Sequence, residues 1–236
     1  MLSVLTLEHN NHIDVERKNV KYTTYIFDFD FTLADASTGI IKCANYALSE
    51  LGFQERSQDE IRKTVGMTLQ DMFSTLTSVQ DKHIGDLFKS YFVDMADDVI
   101  TDSTLLFDDT IDVLQRIKND GCKTAIVSTK YRYRIEEALE KYDISGLIDY
   151  TVGLEDVDTT KPSPEGLQKA IEYLGATSSS VLYIGDSLID ANTANNAGVD
   201  FGAVLTGTTT MSEFQDLPHV CIAKNLTELM EHTHHV

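Results

Sequence analysis

The stretch YIFDFDFTLAD, residues 25–35, decides the fold, because it places two carboxylates directly behind an apolar run. In an extended chain, residues two apart point the same way, so Asp28 and Asp30 are expected to project together. Two like charges held that close repel each other, and burying either is costly unless a partner compensates. The rest of the chain has to supply that partner.

The composition limits the classes of partner that the protein can bind. The 236 residues include 38 acidic and 19 basic side chains, which give a net charge of −19, and 42% of them are hydrophobic. Such a surface repels nucleic acid and anionic membranes, so we expect neither as a partner. An acidic protein that binds an anionic ligand needs a cation or a local basic patch at its site.

The cysteines and the chain's start favour a cytoplasmic protein. Cys43, Cys122 and Cys221 are far apart and lack metal-type spacing, which is typical of free thiols in a reducing compartment. The first 18 residues contain no long apolar core, so we expect no signal peptide. No stretch approaches the roughly 20 apolar residues of a membrane span.

Short apolar runs alternate with helical patterns along most of the chain. The predicted strands are Thr24–Phe27, Thr124–Val127, Tyr150–Val152, Val181–Ile184 and Phe201–Leu205, and the predicted helices are Thr110–Asn119, Tyr131–Tyr142, Pro164–Leu174 and Asp190–Ala197. Continuous apolar strands separated by helices indicate a mostly parallel sheet covered on both faces. We therefore predict an α/β fold with a Rossmann-like sheet.

Residues 37–99 interrupt this alternation with helical patterns alone. We call this segment the helical block, and predict that it is inserted after the first strand and sits on the α/β domain. The domain prediction is an α/β core of residues 1–35 and 100–236 and an all-α domain of residues 36–99. Two apolar stripes are expected to form its core. One consists of Ile40, Ile41, Ala44, Ala47, Leu48 and Leu51, and the other of Leu87, Phe88, Tyr91, Phe92 and Met95.

Polar side chains follow the predicted strands at the points where ligands bind in parallel sheets. Taken singly, each has an ordinary explanation: an Asp after a strand is often a turn residue, a Ser or Thr can cap the next helix, and a lysine can be solvated. Taken together, they predict one shared site. Its members are Asp28, Asp30, Ser128, Thr129, Lys161, Gly185, Asp186 and Asp190.

This arrangement resembles the haloacid dehalogenase-like superfamily over about residues 22–229. The segment 28-DFDFT-32 resembles its first motif, Ser128 the second, Lys161 the third and 185-GDSLID-190 the fourth. The helical block resembles the α-helical cap of the phosphoglycolate phosphatase and β-phosphoglucomutase group. The resemblance thus implies an α/β core with an inserted cap that could move as a lid, hinged near residues 34–36 and 100–106.

The resemblance also implies roles for the site residues. Asp28 would be the nucleophile that forms an aspartyl-phosphate, and Asp30 would start protonated and act as general acid and then base. Mg²⁺ would be held by Asp28, Asp186 and the backbone carbonyl of Asp30, with Asp190 near the metal or one of its waters. Ser128 and the amide of Thr129 would bind phosphoryl oxygens, and Lys161 would add a fixed positive charge.

Each candidate substrate residue has both a functional and a structural interpretation. Met67 and Thr68, in a loop around Gly66, would face the site, or simply connect two helices. Thr32 closes the first motif, and Lys130 and Arg132 could meet an anionic substrate or be solvated at a helix start.

Phe31 departs from the resembling family, where Gly is most frequent at this position. We expect an ordinary negative φ here, because backbone strain needs a compensating gain. The ring would either pack under the helical block or narrow the entrance of the site.

The leading hypothesis is a Mg²⁺-dependent phosphatase that acts on a small phosphorylated metabolite. A phosphosugar mutase shares the motifs, and a non-catalytic, metal-binding interaction protein is the alternative from another class. Dehalogenases and phosphonatases are disfavoured, because the resemblance implies that they lack an acid at the position of Asp30.

Overall fold

The computed structural model describes residues 22–233; the segment in which we expect no signal peptide lies outside the described residues. The elements follow the chain as β1 (Thr24–Phe27), β2 (Ala34–Asp35), α1 (Ser37–Glu50), α2 (Gln58–Arg62), α3 (Leu69–Thr77), α4 (Lys82–Ser103), β3 (Leu105–Leu106), α5 (Thr110–Asn119), β4 (Lys123–Val127), α6 (Arg132–Lys141), β5 (Tyr150–Val152), α7 (Glu165–Leu174), β6 (Val181–Gly185), α8 (Leu188–Ala197), β7 (Asp200–Val204), α9 (Met211–Phe214), β8 (Cys221–Ala223) and α10 (Leu226–Thr233).

Strand β1 lies in the middle of a six-stranded sheet whose order is β5-β4-β1-β6-β7-β8. Every pairing in this sheet is parallel, and Ile26 of β1 lies between Ala125 of β4 and Tyr183 of β6. Strands β4 and β5 lie on one side of β1, and strands β6, β7 and β8 lie on the other. The predicted α/β fold class is confirmed, and β1 ends at the topological switch point where such sheets bind ligands.

Each face of the sheet is covered by its own layer of helices. Phe27 packs with Leu114 in a cluster that α5, α6 and α10 share. Ile26 faces the opposite side and packs with Leu167 in a cluster built mainly from α7, α8 and α9. Because both faces are buried, the strands are continuously apolar, as the sequence analysis assumed.

The helical block consists of α1 to α4 and has a separate apolar core. Phe73 lies at its centre, with its ring centroid 5.4 Å from the centroids of both Phe53 and Phe88. Helix α4 continues past Val99, the last residue of the predicted all-α domain, to Ser103.

Two short strands join the helical block to the α/β core. Ala34 of β2 lies opposite Leu106 of β3 in an antiparallel pair. This ribbon was not predicted from the sequence, because two residues are too few to show an alternating pattern. Strand β8 and helix α10, at the far edge of the sheet, were not predicted either.

Lys141 fixes the second of these connections. Its Nζ donates hydrogen bonds to the carbonyl oxygens of Thr101, Asp102 and Thr104, at 3.0, 2.8 and 3.1 Å. These carbonyls lie at the end of α4, where the last carbonyl oxygens lack N–H donors within the helix and the helix dipole favours a cation. Lys141 therefore ties the end of the helical block to α6 of the core.

Within residues 22–233, no helix is both long enough and apolar enough to cross a lipid bilayer.

Replacing Lys141 should loosen this connection. In Lys141→Met, three carbonyls lose a charged donor, so amide hydrogen exchange over residues 101–106 should accelerate about fivefold to thirtyfold. Exchange in β1 should stay as it is in the parent. The matched control is Lys82→Met at the other end of α4, where the ammonium pairs only with Asp86 on the surface. Equal exchange rates in both variants would show that Lys141 does not hold the connection.

Candidate active site

The predicted site residues meet at one edge of the sheet because each follows a central strand. Asp28 comes directly after β1, Ser128 after β4 and Asp186 after β6. Lys161 reaches the same edge from the loop before α7. Parallel strands end at the same edge, so the topology brings together residues that are far apart in sequence.

Lys161 is the centre of a buried charge network. Its Nζ lies 3.0 Å from Asp28 Oδ1 and 2.6 Å from Asp190 Oδ1, and the three side chains are at most 5% exposed. It also donates to the hydroxyl of Tyr183 at 3.1 Å. One ammonium group therefore compensates two carboxylates that would otherwise be buried without a partner.

Asp190 orients this lysine. Its Oδ1 accepts from Lys161 and, at 2.9 Å, from Tyr183. Its Oδ2 accepts from the amide of Ser187 at 3.1 Å and from the Ser187 hydroxyl, which in turn caps the start of α8. Both oxygens are occupied by protein donors, so Asp190 acts on a metal or substrate only through its neighbours.

At two glycines, the backbone lies close to the carboxylates of Asp190 and Asp186. A Cβ on Gly185 would lie 2.5 Å from the side chain of Asp190, and a Cβ on Gly207 would lie 1.9 Å from Asp186 Oδ2. Any larger residue would push the carboxylates apart.

The acidic cluster has the donor set of a divalent cation site. Asp28, Asp186 and Asp190 each offer an oxygen, and these atoms lie within 4.8 Å of one another. Asp28 Oδ1 is buried and, among the described residues, has no hydrogen bond of normal geometry, although it lies close to the Lys161 ammonium. Carboxylate oxygens are the ligands that Mg²⁺ prefers, and an incompletely satisfied one fits such an ion. Because Asp190 is occupied, Asp28 and Asp186 are the side chains that fit the metal.

Burial and mutual repulsion shift the protonation of these groups. Burial, reinforced by the charge of Asp190 and opposed by Lys161, raises the pKa of Asp28 to about 6. Burial and then the charges of Asp190 and Asp28 raise the pKa of Asp186 well above its usual value. Burial alone would lower the pKa of Lys161, but the charges of Asp190 and Asp28 outweigh it and raise that pKa.

Asp30 does not belong to this cluster, contrary to the expected crowding by the other carboxylates. Its Oδ1 and Oδ2 each lie 3.1 Å from Nζ of Lys130. The rule that residues two apart point the same way holds within a strand, but β1 ends at Phe27 and the chain turns after it. Asp30 therefore projects to the Lys130 side of the site, whereas Asp28 projects to Lys161.

Ser128 and Thr129 lie between these two groups of charges. The Ser128 amide donates to the Val152 carbonyl at 3.0 Å, which holds the end of β4, and its hydroxyl accepts from the Lys130 amide at 3.3 Å. The Thr129 hydroxyl donates to the Gly66 carbonyl at 2.9 Å, so the loop of the helical block contacts the core here. Thr32 lies on the Asp186 side, where its hydroxyl donates to Asp186 Oδ1 at 3.3 Å.

A cavity of about 70 Å³ lies between the helical block and the core on the Asp30 side. Met67 lines it, whereas Thr68 lies outside its lining and caps α3 by accepting from the Asp71 amide. Lys130 also lines it, but Arg132 does not: its guanidinium is 3.2 Å from Asp156 on the surface. The cavity is lined by Asp30, Ile40, Val65, Gly66, Met67, Leu69, Met72, Phe92, Val93, Ile100, Thr129, Lys130, Tyr131, Arg134 and Leu154.

The sequence analysis missed Arg134 in this cavity wall. It lies on the face of α6 that carries the buried residues Ile135, Ala138 and Leu139. A charged residue within a buried helical face was the signal that could have identified it, since such a residue needs a partner.

The expectation of a negative φ at Phe31 is wrong. Its φ is +61°, a conformation that costs a non-glycine residue about 1–3 kcal/mol. The Phe31 amide donates to the Ala34 carbonyl at 2.7 Å, and the Phe31 carbonyl accepts from the Thr206 hydroxyl, so the turn is held on both sides. The buried ring packs under the Arg62 guanidinium of α2 at 4.5 Å and does not line the cavity. Phe31 thus packs under the helical block, outside the lining of this cavity.

Comparisons with known proteins agree with this geometry. A family model described as haloacid dehalogenase-like hydrolase matches residues 25–204. A phosphoglycolate phosphatase from Rhodobacter capsulatus is 34% identical over 200 residues, which cover 82% of this chain and 89% of that protein. A pyrophosphatase PpaX from Bacillus cereus (strain AH820) is 28% identical over 185 residues, which cover 78% of this chain and 84% of that protein. A solved structure from Bacteroides fragilis, described as a haloacid dehalogenase-like hydrolase, has 43% identity and a TM-score of 0.87, and the match covers 89% of this chain and all 100% of that one.

The metal-free protein should gain stability when the acidic cluster loses a charge. In the folded state the pKa of Asp28 is raised from 3.8 to about 6, so the folded protein binds more protons than the unfolded one in that interval. Its free energy of unfolding should therefore fall as the pH rises from about 4 to about 6. Asp186→Asn should raise the metal-free stability at pH 7 by about 1 kcal/mol or more and remove the stabilisation by Mg²⁺.

Urea denaturation with and without Mg²⁺ measures both effects. Asp158→Asn, which removes an exposed carboxylate elsewhere, is the control and should change neither. A loss of metal-free stability in Asp186→Asn would contradict the account and assign Asp186 to structural support of Thr32.

Replacing Phe31 by glycine makes two opposing contributions to the free energy of unfolding. The glycine relieves the strain of a positive φ, but the loss of a buried aromatic ring costs about 3–5 kcal/mol. Phe31→Gly should therefore lower the free energy of unfolding by about 2 kcal/mol. The order in which phosphate esters are accepted should not change, because the ring lies outside the cavity. An increase in stability, or a broadened substrate range, would show that Phe31 is a strained selector at the entrance.

Proposed function

Because this chain belongs to the haloacid dehalogenase-like hydrolase family, we propose that it is a magnesium-dependent phosphatase that acts on a small phosphorylated metabolite. The observation that carries this proposal is the buried cluster of Asp28, Asp186 and Asp190, in which the ammonium of Lys161 contacts Asp28 and Asp190. Such a cluster is costly to bury and provides what phosphoryl transfer needs, namely a nucleophile, metal ligands and fixed positive charge.

The size of the substrate follows from the cavity and from the relatives. The proteins named phosphoglycolate phosphatase and pyrophosphatase PpaX act, by their names, on small phosphorylated compounds. The cavity between core and helical block, at about 70 Å³, is far smaller than the roughly 300–1,000 Å³ of pockets that hold drug-sized ligands, so it suits a small leaving group. These two observations support a small metabolite and argue against a protein or nucleic acid substrate.

In the proposed reaction, Asp28 is the nucleophile. A carboxylate oxygen of Asp28 attacks phosphorus, the bond from phosphorus to the leaving oxygen breaks, and that oxygen takes a proton from Asp30. Water then attacks phosphorus of the aspartyl-phosphate and gives a proton to Asp30. Inorganic phosphate leaves and the Asp28 carboxylate is restored, so the protons and bonds balance over one turnover.

Positive charge has to accompany the phosphoryl group, because the site is rich in carboxylates. Lys161 lies 3.0 Å from Asp28 and brings one such charge to the reacting oxygen. Mg²⁺, held by Asp28, Asp186 and the Asp30 backbone carbonyl, would supply the rest by neutralising phosphoryl oxygens. Ser128 and the Thr129 amide would orient the phosphoryl oxygens from the end of β4.

Lys130 controls when Asp30 can transfer a proton. Both Asp30 oxygens contact the Lys130 ammonium, which has no lone pair to accept a proton. For an Asp30 hydroxyl to point at the leaving oxygen, this pair has to loosen. We propose that the arriving substrate draws Lys130 away from Asp30.

We place this reaction in the cytoplasm. All three cysteines are free, and Cys43 and Cys122 are buried, which suits a reducing compartment.

A panel of phosphorylated metabolites, assayed for phosphate release, tests the proposal. Release should require Mg²⁺, stop with EDTA and fall at least about a thousandfold in Asp28→Asn, because no other group can form the covalent intermediate. Asp158→Asn is the control and should keep full activity. Mg²⁺ binding without phosphate release would favour an interaction protein, and isomerisation of a hexose phosphate without net release would favour a mutase.

A further inference from the structure

We propose that Arg134 forms a subsite for a negatively charged group on the leaving half of the substrate. This inference rests on the proposed phosphatase function and narrows its substrate to compounds that carry a carboxylate or a second phosphate beside the scissile one.

Arg134 is a buried cation with an unused donor. Its side chain is 4% exposed, and its Nη2 donates to Asp97 Oδ1 at 2.7 Å and to the Val93 carbonyl at 3.3 Å. Its Nη1 is also buried, but it has no hydrogen-bond partner among residues 22–233. Leaving a buried donor unpaired on a charged group is costly. Because Nη1 has almost no accessible surface here, a ligand oxygen would reach it through a shift of the neighbouring α4 segment, and pairing it would then be favourable.

The position of Arg134 brings its positive charge to the space proposed for the leaving group. Arg134 lines the same cavity as Asp30, the proposed acid for the leaving oxygen, and as Lys130 and Thr129. Met67 closes the cavity from the helical block. A substrate whose phosphoryl group lies at Asp28 would thus extend its leaving half past Asp30 into the cavity that Arg134 lines.

The charges around the cavity favour an anion there. Lys130 is paired with Asp30 through both carboxylate oxygens. The Arg134 charge is only partly offset by Asp97, whose carboxylate is 59% exposed to solvent. Most of the remaining wall is apolar, so an interaction of Arg134 with an anion is weakly screened. The planar guanidinium suits carboxylate and phosphate oxygens equally, which defines the ligand class by its charge and oxygens.

The same contacts couple binding to the helical block. Arg134 lies on α6 of the core, while Asp97 and Val93 lie on α4 of the helical block. An anion bound to Nη1 would therefore lie where the two parts of the molecule already meet.

Three two-carbon phosphate esters test the subsite, because they differ in the charge of the leaving group and little in its size. They are 2-phosphoglycolate, 2-hydroxyethyl phosphate and O-phosphoethanolamine, whose leaving groups are anionic, neutral and cationic. The parent should hydrolyse them in that order of kcat/KM. In Arg134→Met, kcat/KM for 2-phosphoglycolate should fall about tenfold or more, while that for 2-hydroxyethyl phosphate changes less than about threefold.

Two further variants keep the test decisive. Arg132→Met removes an exposed arginine from the same helix, outside the cavity lining, and should preserve the parental order. Arg134→Lys keeps a charge near Asp97 and should retain part of the preference even if the methionine variant is poorly folded. A purely structural Arg134 would lower all three rates equally, and that result would overturn the subsite. Absence of phosphate release from every ester by the parent would instead refute the proposed function itself.

Discussion

The structure depends on one ammonium group that is buried among carboxylates. Lys161 lies within 3.0 Å of both Asp28 and Asp190, and Asp186 completes an acidic cluster that contains no further cation among the described residues. Burying these charges costs free energy, and apolar side chains of similar volume would often give equal or greater stability. We therefore expect the charges to serve a function. The raised pKa values of Asp28 and Asp186 follow first from burial and then from this excess of negative charge. The cluster thus has the ligands and the charge that the proposed metal-dependent phosphoryl transfer requires.

The topology of the sheet makes this cluster possible. Strand β1 lies between β4 and β6, so the residues that follow these three strands meet at the switch point. The turn after β1 then sends Asp28 and Asp30 to different partners, Lys161 on one side and Lys130 on the other. This separation would allow the proposed nucleophile, Asp28, and the proposed proton donor, Asp30, to lie close together in different environments. The helical block closes the Lys130 side, where Thr129 contacts its Gly66 loop.

Much of this arrangement could be predicted from the sequence, because it follows from continuous apolar strands and from the polar residues at their ends. The fold class was predicted on those grounds, as was the grouping of Asp28, Ser128, Lys161 and Asp186 at one edge. The Asp30–Lys130 pair could not be, since it depends on where a four-residue strand stops and the chain turns. The positive φ of Phe31 depends on tertiary contacts with Thr206 and Arg62, and the burial of Arg134 depends on how α6 meets α4. Such features arise from packing between distant segments, which local patterns do not encode.

The most direct measurement of the central claim is rapid-quench mass spectrometry during turnover of a hydrolysed ester. If the cluster serves to make Asp28 a nucleophile, a phosphate that is stable in acid and labile in base should appear on the peptide that contains Asp28. Its amount should rise to a steady level within the first turnover and disappear when the substrate is exhausted. Full turnover with no phosphate on that peptide, or with phosphate on Asp186, would contradict the account.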